Sequence, residues 1–242
     1  MADTKAKNGM TKDSSPRVDL RRLNGEETRR RIIDAAQMLF AKNGYSGVSM
    51  RQITMRAKAN VASIHYHLGS KEQLLLEVLR RGAGPLVEKR NENLRALERP
   101  YKLEDVIRAF VSPIFGDEVK SSAKQLIFGE LRARLMFENS NLVERMLSEL
   151  FDDSTVRFVE ALCECLPDLP ERDIYFRFHY LLGAMTYTMS GLNRVNALSG
   201  GRYDPAKGPG SLDQLVAFLT AGFRAPTVAQ GQVSRPGKIS VS

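Results

Sequence analysis

At 242 residues the chain is long enough for one or two domains with a full core, and 43% hydrophobic with 26% charged residues is the balance of a soluble globular protein. No apolar run reaches the roughly 18 residues of a membrane span, and the N-terminus lacks the apolar core of a signal peptide, so a cytoplasmic location is expected. The net charge of +8 is concentrated at one end, since residues 1–70 hold thirteen Lys and Arg against six Asp and Glu. A basic third beside a nearly neutral remainder is the footprint of a nucleic-acid-binding domain, although a solvated basic face without a partner has the same composition.

Residues 1–23 are polar and rich in Lys, Arg, Ser and Asp, and read as a disordered basic arm able to enter a minor groove or rest on phosphates. The first helix is expected from Asn24 to Asn43. Asn24 and Glu27 have the spacing of a capping box, Ile32, Ile33, Ala36, Leu39 and Phe40 form one apolar stripe, and Asn43-Gly44 is a stop. In SMRQITMRAKANVASIHYHLGSK, Ser49 and Gln52 cap a short helix whose Met50, Ile53 and Ala57 share a face. Asn60 is a suitable N-cap for a second short helix. Two such helices joined by about three residues make a helix-turn-helix, and both must pack on a support because neither is stable alone. Ser70 and Gln73 cap a longer helix from Lys71 to about Ala96, with Leu74, Val78 and Leu79 buried. Gly82, Gly84 and Pro85 are expected to kink or briefly end it.

The run from Arg29 to about Leu79, with IIDAAQMLFAKNGY, SMRQITMRA and NVASIHYHLGSKEQLL in order, resembles the DNA-binding domain of the TetR family of bacterial transcriptional regulators. It departs from the family at Lys58, where the turn usually carries Gly, and at Val61, where Lys is common. A Lys held at positive φ costs roughly 1 kcal/mol. The resemblance implies that the Tyr/His cluster of the second helix contacts phosphates, and that the last two helices build a four-helix dimer interface matching Tyr187, Arg194, Leu215, Phe218, Leu219 and Phe223. FRFHYLLGAMTYTMSG looks like the branch that holds regulators of fatty-acid and related lipid metabolism.

From Tyr101 onward the pattern is helical, with segments expected at 103–115, 121–137, 140–166, 171–195 and 211–224. Pro100, Gly116, Pro167, Pro170 and the 199–210 loop separate them. Residues 226–242 lack periodicity and read as a disordered tail. The expected architecture is all-α: a three-helix helix-turn-helix domain over 24–70, then a ligand-binding and dimerisation bundle over 71–225, about nine helices in all.

No phosphate-binding Gly-rich loop, metal-spaced Cys/His cluster or nucleophile elbow is visible, so neither an enzyme nor a bound metal or cofactor is expected. His65 and His67 lie two apart on a helix, about 200° around it, and cannot share a metal. His67 equally reads as a packed residue. Cys163 and Cys165 read as ordinary packing residues, with a thiol sensor as the alternative. Ser49, Arg51, Lys58, Asn60, Val61, Ser63, His65, Tyr66, His67 and Lys71 are the candidate contacts to double-stranded DNA. Lys71 stands at a helix N-terminus, where phosphate also meets free N–H groups. A single recognition helix discriminates weakly, so a homodimer on a pseudo-palindrome is expected.

In the C-terminal half Phe110, Phe128, Arg132, Met136, Phe158, His179, Leu182, Met185 and Thr186 are candidates for an effector pocket, although a Phe/Met stripe is as readily core. His179, Thr186 and one of Arg132 or Arg134 are its polar anchors, a composition that suits a fatty acid, an acyl-CoA or another apolar small molecule. The expected function is a ligand-responsive one-component regulator, with repression the expected sign. A lipid-binding bundle with an incidental basic arm, and a DNA-binding protein with no ligand, are the competing readings.

Overall fold

The computed structural model describes residues 16–60, 68–116, 123–138, 140–190 and 192–227. The chain divides into two units between Leu79 and Arg80, and all regular structure among the described residues is helical. We number the helices α1 (Pro16–Asn43), α2 (Met50–Ala57), α3 (Lys71–Arg95), α4 (Leu103–Phe115), α5 (Ala123–Leu135), α6 (Asn141–Cys165), α7 (Glu171–Met189), α8 (Arg194–Leu198) and α9 (Ser211–Arg224).

The N-terminal unit is built on α1. Ile32, Ile33, Ala36 and Phe40 are fully buried along one side of it, and α2 packs on this helix. Gly44 takes φ +76° after the last turn and donates to Phe40 O at 2.9 Å, which closes α1 at the expected stop. The start of α1 differs from the expectation. The helix begins at Pro16, so Asn24 and Glu27 are interior residues rather than a cap, and 16–23 is helix rather than a disordered arm. Pro is tolerated in a first turn, where its missing N–H needs no intrahelical acceptor, and the Leu/Arg run that follows propagates a helix well. Residues 1–15 lie outside the described part.

Helix α2 starts on a complete capping box. Ser49 Oγ accepts from Gln52 N at 3.3 Å, while Ser49 N donates to Gln52 Oε1 at 2.7 Å. Ile53, Thr54 and Ala57 turn inward. The first turns of α3 belong to this unit, which ends at Leu79. Leu74, Leu75, Val78 and Leu79 are fully buried, Glu77 pairs with Arg29 of α1 at 2.6 Å, and Ser70 and Gln73 exchange the two bonds of a second capping box.

Helix α3 runs unbroken through Gly82, Gly84 and Pro85, contrary to the expected interruption. Pro85 removes one N–H, a loss a long helix absorbs when neighbouring turns are packed. Gly82 has a packing reason: a Cβ there would stand 2.2 Å from the Phe128 ring of α5, so only glycine lets that ring lie against the helix.

The C-terminal unit closes around Val106, Ile107, Phe110, Phe158, Leu162, Ile174, Phe178, Leu181, Val216 and Phe223, with α4 packed on α6 and α9, and α7 packed on α5, α6 and α9. Phe110 meets Phe158 and Phe178 edge-on, with ring centroids 5.0 and 5.3 Å apart. Helices α4 and α9 have the expected bounds. The single helix expected over 171–195 is instead two: α7 ends at Met189, and Asn193 accepts from Asn196 N at 3.1 Å to start the short α8. Arg177 Nη1 donates to Phe223 O at 2.6 Å, supplying a partner for one of the last carbonyls of α9. Among the described residues no helix is long and apolar enough to cross a membrane.

Candidate DNA face, effector cavity and subunit face

Of the candidate DNA contacts, Ser49, Arg51, Lys58 and Asn60 are exposed in the N-terminal unit. The Ser49 hydroxyl is occupied by the capping box and also donates to Gln52 Oε1 at 2.8 Å. Lys71 opens α3 with its Nζ 4.2 Å from the centroid of the Tyr45 ring, which holds the ammonium at the helix N-terminus. Val61, Ser63, His65, Tyr66 and His67 lie outside the described residues. Lys58 takes φ +50°, ψ +45°, so the turn keeps a left-handed residue despite the lysine, and its N–H donates to Met55 O at 3.3 Å. Lys58→Gly is therefore expected to stabilise the N-terminal unit by up to about 1 kcal/mol, offset in part by glycine's greater unfolded-state entropy. The same change removes an exposed ammonium and should weaken DNA binding. A denaturant melt beside a binding titration checks both, and a destabilised Lys58→Gly variant would remove the strain account.

The C-terminal unit contains a cavity of about 780 Å³ between α3, α4, α5, α6 and α7. Phe110, Arg132, Met136, Leu182 and Thr186, five of the nine pocket candidates, line it. Phe128 lines a smaller apolar cavity of about 150 Å³ beside Gly82, Leu86 and Met189, and Arg132 borders this one too. The other three are placed elsewhere. Phe158 and Met185 are fully buried in the core, interdigitated with their own bundle and leaving no wall for a ligand. His179 is exposed one residue beyond the buried Phe178, with its ring edge-on to Tyr180 at 5.9 Å, because successive helix residues point about 100° apart. Between the two arginines weighed as anchors, Arg132 is buried and Arg134 is exposed.

Among the lining residues outside the candidate set, Arg90 changes the cavity's chemistry most. Arg90 lines it and is only 2% exposed, beside Arg132 at 5%. A signal was present: Ala83, Leu86, Arg90 and Leu94 follow at i, i+3, i+7 and i+11, a cation in the middle of an apolar stripe. Arg90 Nε donates to Phe110 O at 2.9 Å, and its guanidinium lies 3.6 Å from the centroid of the Phe110 ring. Burial pushes its pKa well down, and the like charge of Arg132 pushes in the same direction. Burial lowers Arg132 to about 10.

The six residues assigned to a subunit interface do not share one exposure. Tyr187, Arg194 and Phe218 face outward, Phe218 with 70% of its surface exposed, and Leu215 is half-buried. Leu219 and Phe223 are buried in the protomer's own core and have little surface left to give a partner. The alternation follows from helical geometry, because Phe218 and Leu219 are neighbours in sequence and stand on different sides of α9.

Cys163 and Cys165 are free thiols. Burial, then the nearby Glu164 and Asp105, push Cys165 up to about 11, and the same kinds of cause raise Cys163. Neither forms thiolate readily at neutral pH, which fits packing residues rather than a sensor.

The sequence profile described as "Bacterial regulatory proteins, tetR family" matches residues 32–78, and the one described as "Tetracyclin repressor-like, C-terminal domain" matches residues 108–222. The chain belongs to the TetR family. Among curated TetR-family relatives, the transcriptional repressor NicS of Pseudomonas putida is 38% identical over 63 residues, 26% of this chain and 30% of that protein. The transcriptional regulator SrpR of Pseudomonas putida is 28% identical over 141 residues, 58% of this chain and 60% of that protein. The chain thus spans about a third and three fifths of the length of these relatives. A solved structure of the transcriptional regulator FadR from Bacillus subtilis in complex with stearoyl-CoA superposes with a TM-score of 0.56 over 80% of this chain and 98% of that one, at 19% identity. At that identity the likeness is one of fold. In this TetR-family chain the first match spans the buried face of α1, the capped α2 and the start of α3, and the second covers most of the C-terminal bundle.

Proposed function

We propose that this protein is a one-component transcriptional regulator, a repressor in sign, that binds a palindromic operator as a homodimer and changes its affinity when a small molecule occupies the C-terminal bundle. The match of residues 32–78 to the TetR DNA-binding domain carries the reading, and the +7 charge of residues 1–70 supports it. In this reading residues 1–15 are a basic arm, 16–79 the DNA-binding domain, 80–225 the effector and dimerisation domain, and 226–242 a tail. Ser49, Arg51, Lys58, Asn60 and Lys71, with Val61, Ser63, His65, Tyr66 and His67, form the DNA face. The effector is an apolar or acyl molecule, supported by the apolar side chains Phe110, Leu135, Met136, Leu147, Phe151 and Leu182 in the lining of the large cavity and by the likeness to a FadR bound to stearoyl-CoA. Coupling requires only that the effector bind one of two conformations better than the other.

Footprinting on genomic fragments tests this reading. A regulator protects one short palindrome, a DNA-compacting protein protects everything, and a lipid-binding bundle protects nothing. Tyr66→Ala and Lys71→Ala are expected to weaken binding to all sequences about equally and to lower the salt slope by about one each, since each lost phosphate contact releases fewer counterions. Val61→Ala or Ser63→Ala should instead change preference at one or two base pairs by about 1–3 kcal/mol. An unchanged affinity and salt slope for Lys71→Ala would move the DNA face elsewhere.

A further inference from the structure

Buried arginines are normally paired with carboxylates, because an unpaired charge out of water costs several kcal/mol. Arg90 and Arg132 break that rule together. Both line the 780 Å³ cavity, and neither forms an ion pair with a carboxylate among the described residues. Their other contacts are weak substitutes: the Phe110 ring and carbonyl for Arg90, the Phe151 ring at 5.3 Å and Met189 Sδ at 3.7 Å for Arg132. Arg90 Nη2 and Arg132 Nε are buried with no acceptor in reach. The acidic residues of the same cavity do not fill the gap: Glu144 and Asp152 are exposed, Asp152 accepts from Ser148, and half-buried Glu138 is held by a partner of its own. Guanidinium groups stay protonated in proteins, so the cavity carries two buried positive charges among a mixed apolar and polar lining.

We propose that Arg90 and Arg132 form a two-guanidinium seat for the oxyanion headgroup of an amphiphilic effector, with the apolar body of that effector lying along Leu135, Met136, Leu147, Phe151 and Leu182. The inference rests on reading this cavity as the effector site and adds the ligand's charge and the residues that select it. A carboxylate or a phosphate has at least two oxygens to share between the forks, which satisfies unused N–H groups and offsets the like-charge repulsion. A neutral aromatic of the same size would leave both charges uncompensated. Arg132 also borders the smaller apolar cavity, so the headgroup sits where the two spaces meet.

The test uses the full chain and three probes of equal length, dodecanoate, dodecyl phosphate and dodecanol, each below its aggregation threshold, with binding read by calorimetry. The two anions are expected to bind at least about tenfold tighter than the alcohol, the minimum for one charge-assisted contact. Whichever anion binds tighter identifies the headgroup as carboxylate or phosphate, and either result supports the seat. Arg132→Met should erase the preference for anions. Its melting temperature without ligand should be no lower than the parent's, since it removes an unpaired buried cation while keeping an unbranched apolar stem in its place. A purely structural arginine would show the reverse, a lower melting temperature with the preference intact, and that result overturns the proposal. So does dodecanol binding as tightly as the anions. Arg90→Met should also lose the preference, but it strips a donor from Phe110 O, so Arg132→Met decides if Arg90→Met does not fold. Footprinting without probe is independent. A chain that protects a palindrome without discriminating the probes loses only the anion seat. A chain that discriminates them without binding DNA loses only the regulator reading.

Discussion

Phe218→Asp is expected to yield a folded monomer that binds its operator poorly. Phe218 is 70% exposed on α9, so the substitution removes little from the protomer's own core. Tyr187 and Arg194 are exposed on α7 and α8, and Tyr180, Leu192 and Leu198 add further exposed apolar area on and beside these helices. An aromatic this open is a typical anchor of a subunit interface, and a carboxylate in its place would be buried without a partner at a cost of several kcal/mol. A micromolar dimer is held by only about 8 kcal/mol, so such a loss separates it at working concentrations. Operator affinity then falls further, because two half-sites no longer bind as one ligand. Sedimentation should show a monomer while the thermal melt stays cooperative. An undisturbed dimer would put the interface on another face.

Ile53→Ala should act on the other unit, abolishing DNA binding while sparing the C-terminal cavity. Ile53 is fully buried from α2, which packs on α1, and truncating such a side chain costs about 2–5 kcal/mol. Helix α2 is eight residues long, too short to persist without that contact. The division of the chain at Leu79/Arg80 confines the damage to the N-terminal side. Hydrogen exchange should quicken across α1 and α2 with α4 and α9 still protected, and probe binding to the C-terminal cavity should remain. Loss of protection in both units together would mean that they unfold as one.

Much of this architecture was legible because it depends on groups a few residues apart. The two capping boxes, Ser49 with Gln52 and Ser70 with Gln73, are complete within one turn. The stop at Gly44 and the bounds of α4 and α9 rest on backbone geometry and apolar periodicity that a short window contains. The helix-turn-helix pattern, and with it the family, was readable for the same reason.

Tertiary packing decided the rest. Gly82 has no room for a Cβ because Phe128, far along the chain, lays its ring against α3. Leu219 and Phe223 share α9 with the exposed Phe218, and packing against the bundle core turns them inward. Arg90 is an ordinary helix-surface residue by composition. Its meeting with Arg132 in one cavity requires α3 and α5 to be brought together across the bundle. Local sequence sets which backbone groups are satisfied and which faces are apolar. Whether a given side chain ends in a core, in a cavity or on the surface depends on what long-range packing brings beside it, and that information is not carried by any one window of the chain.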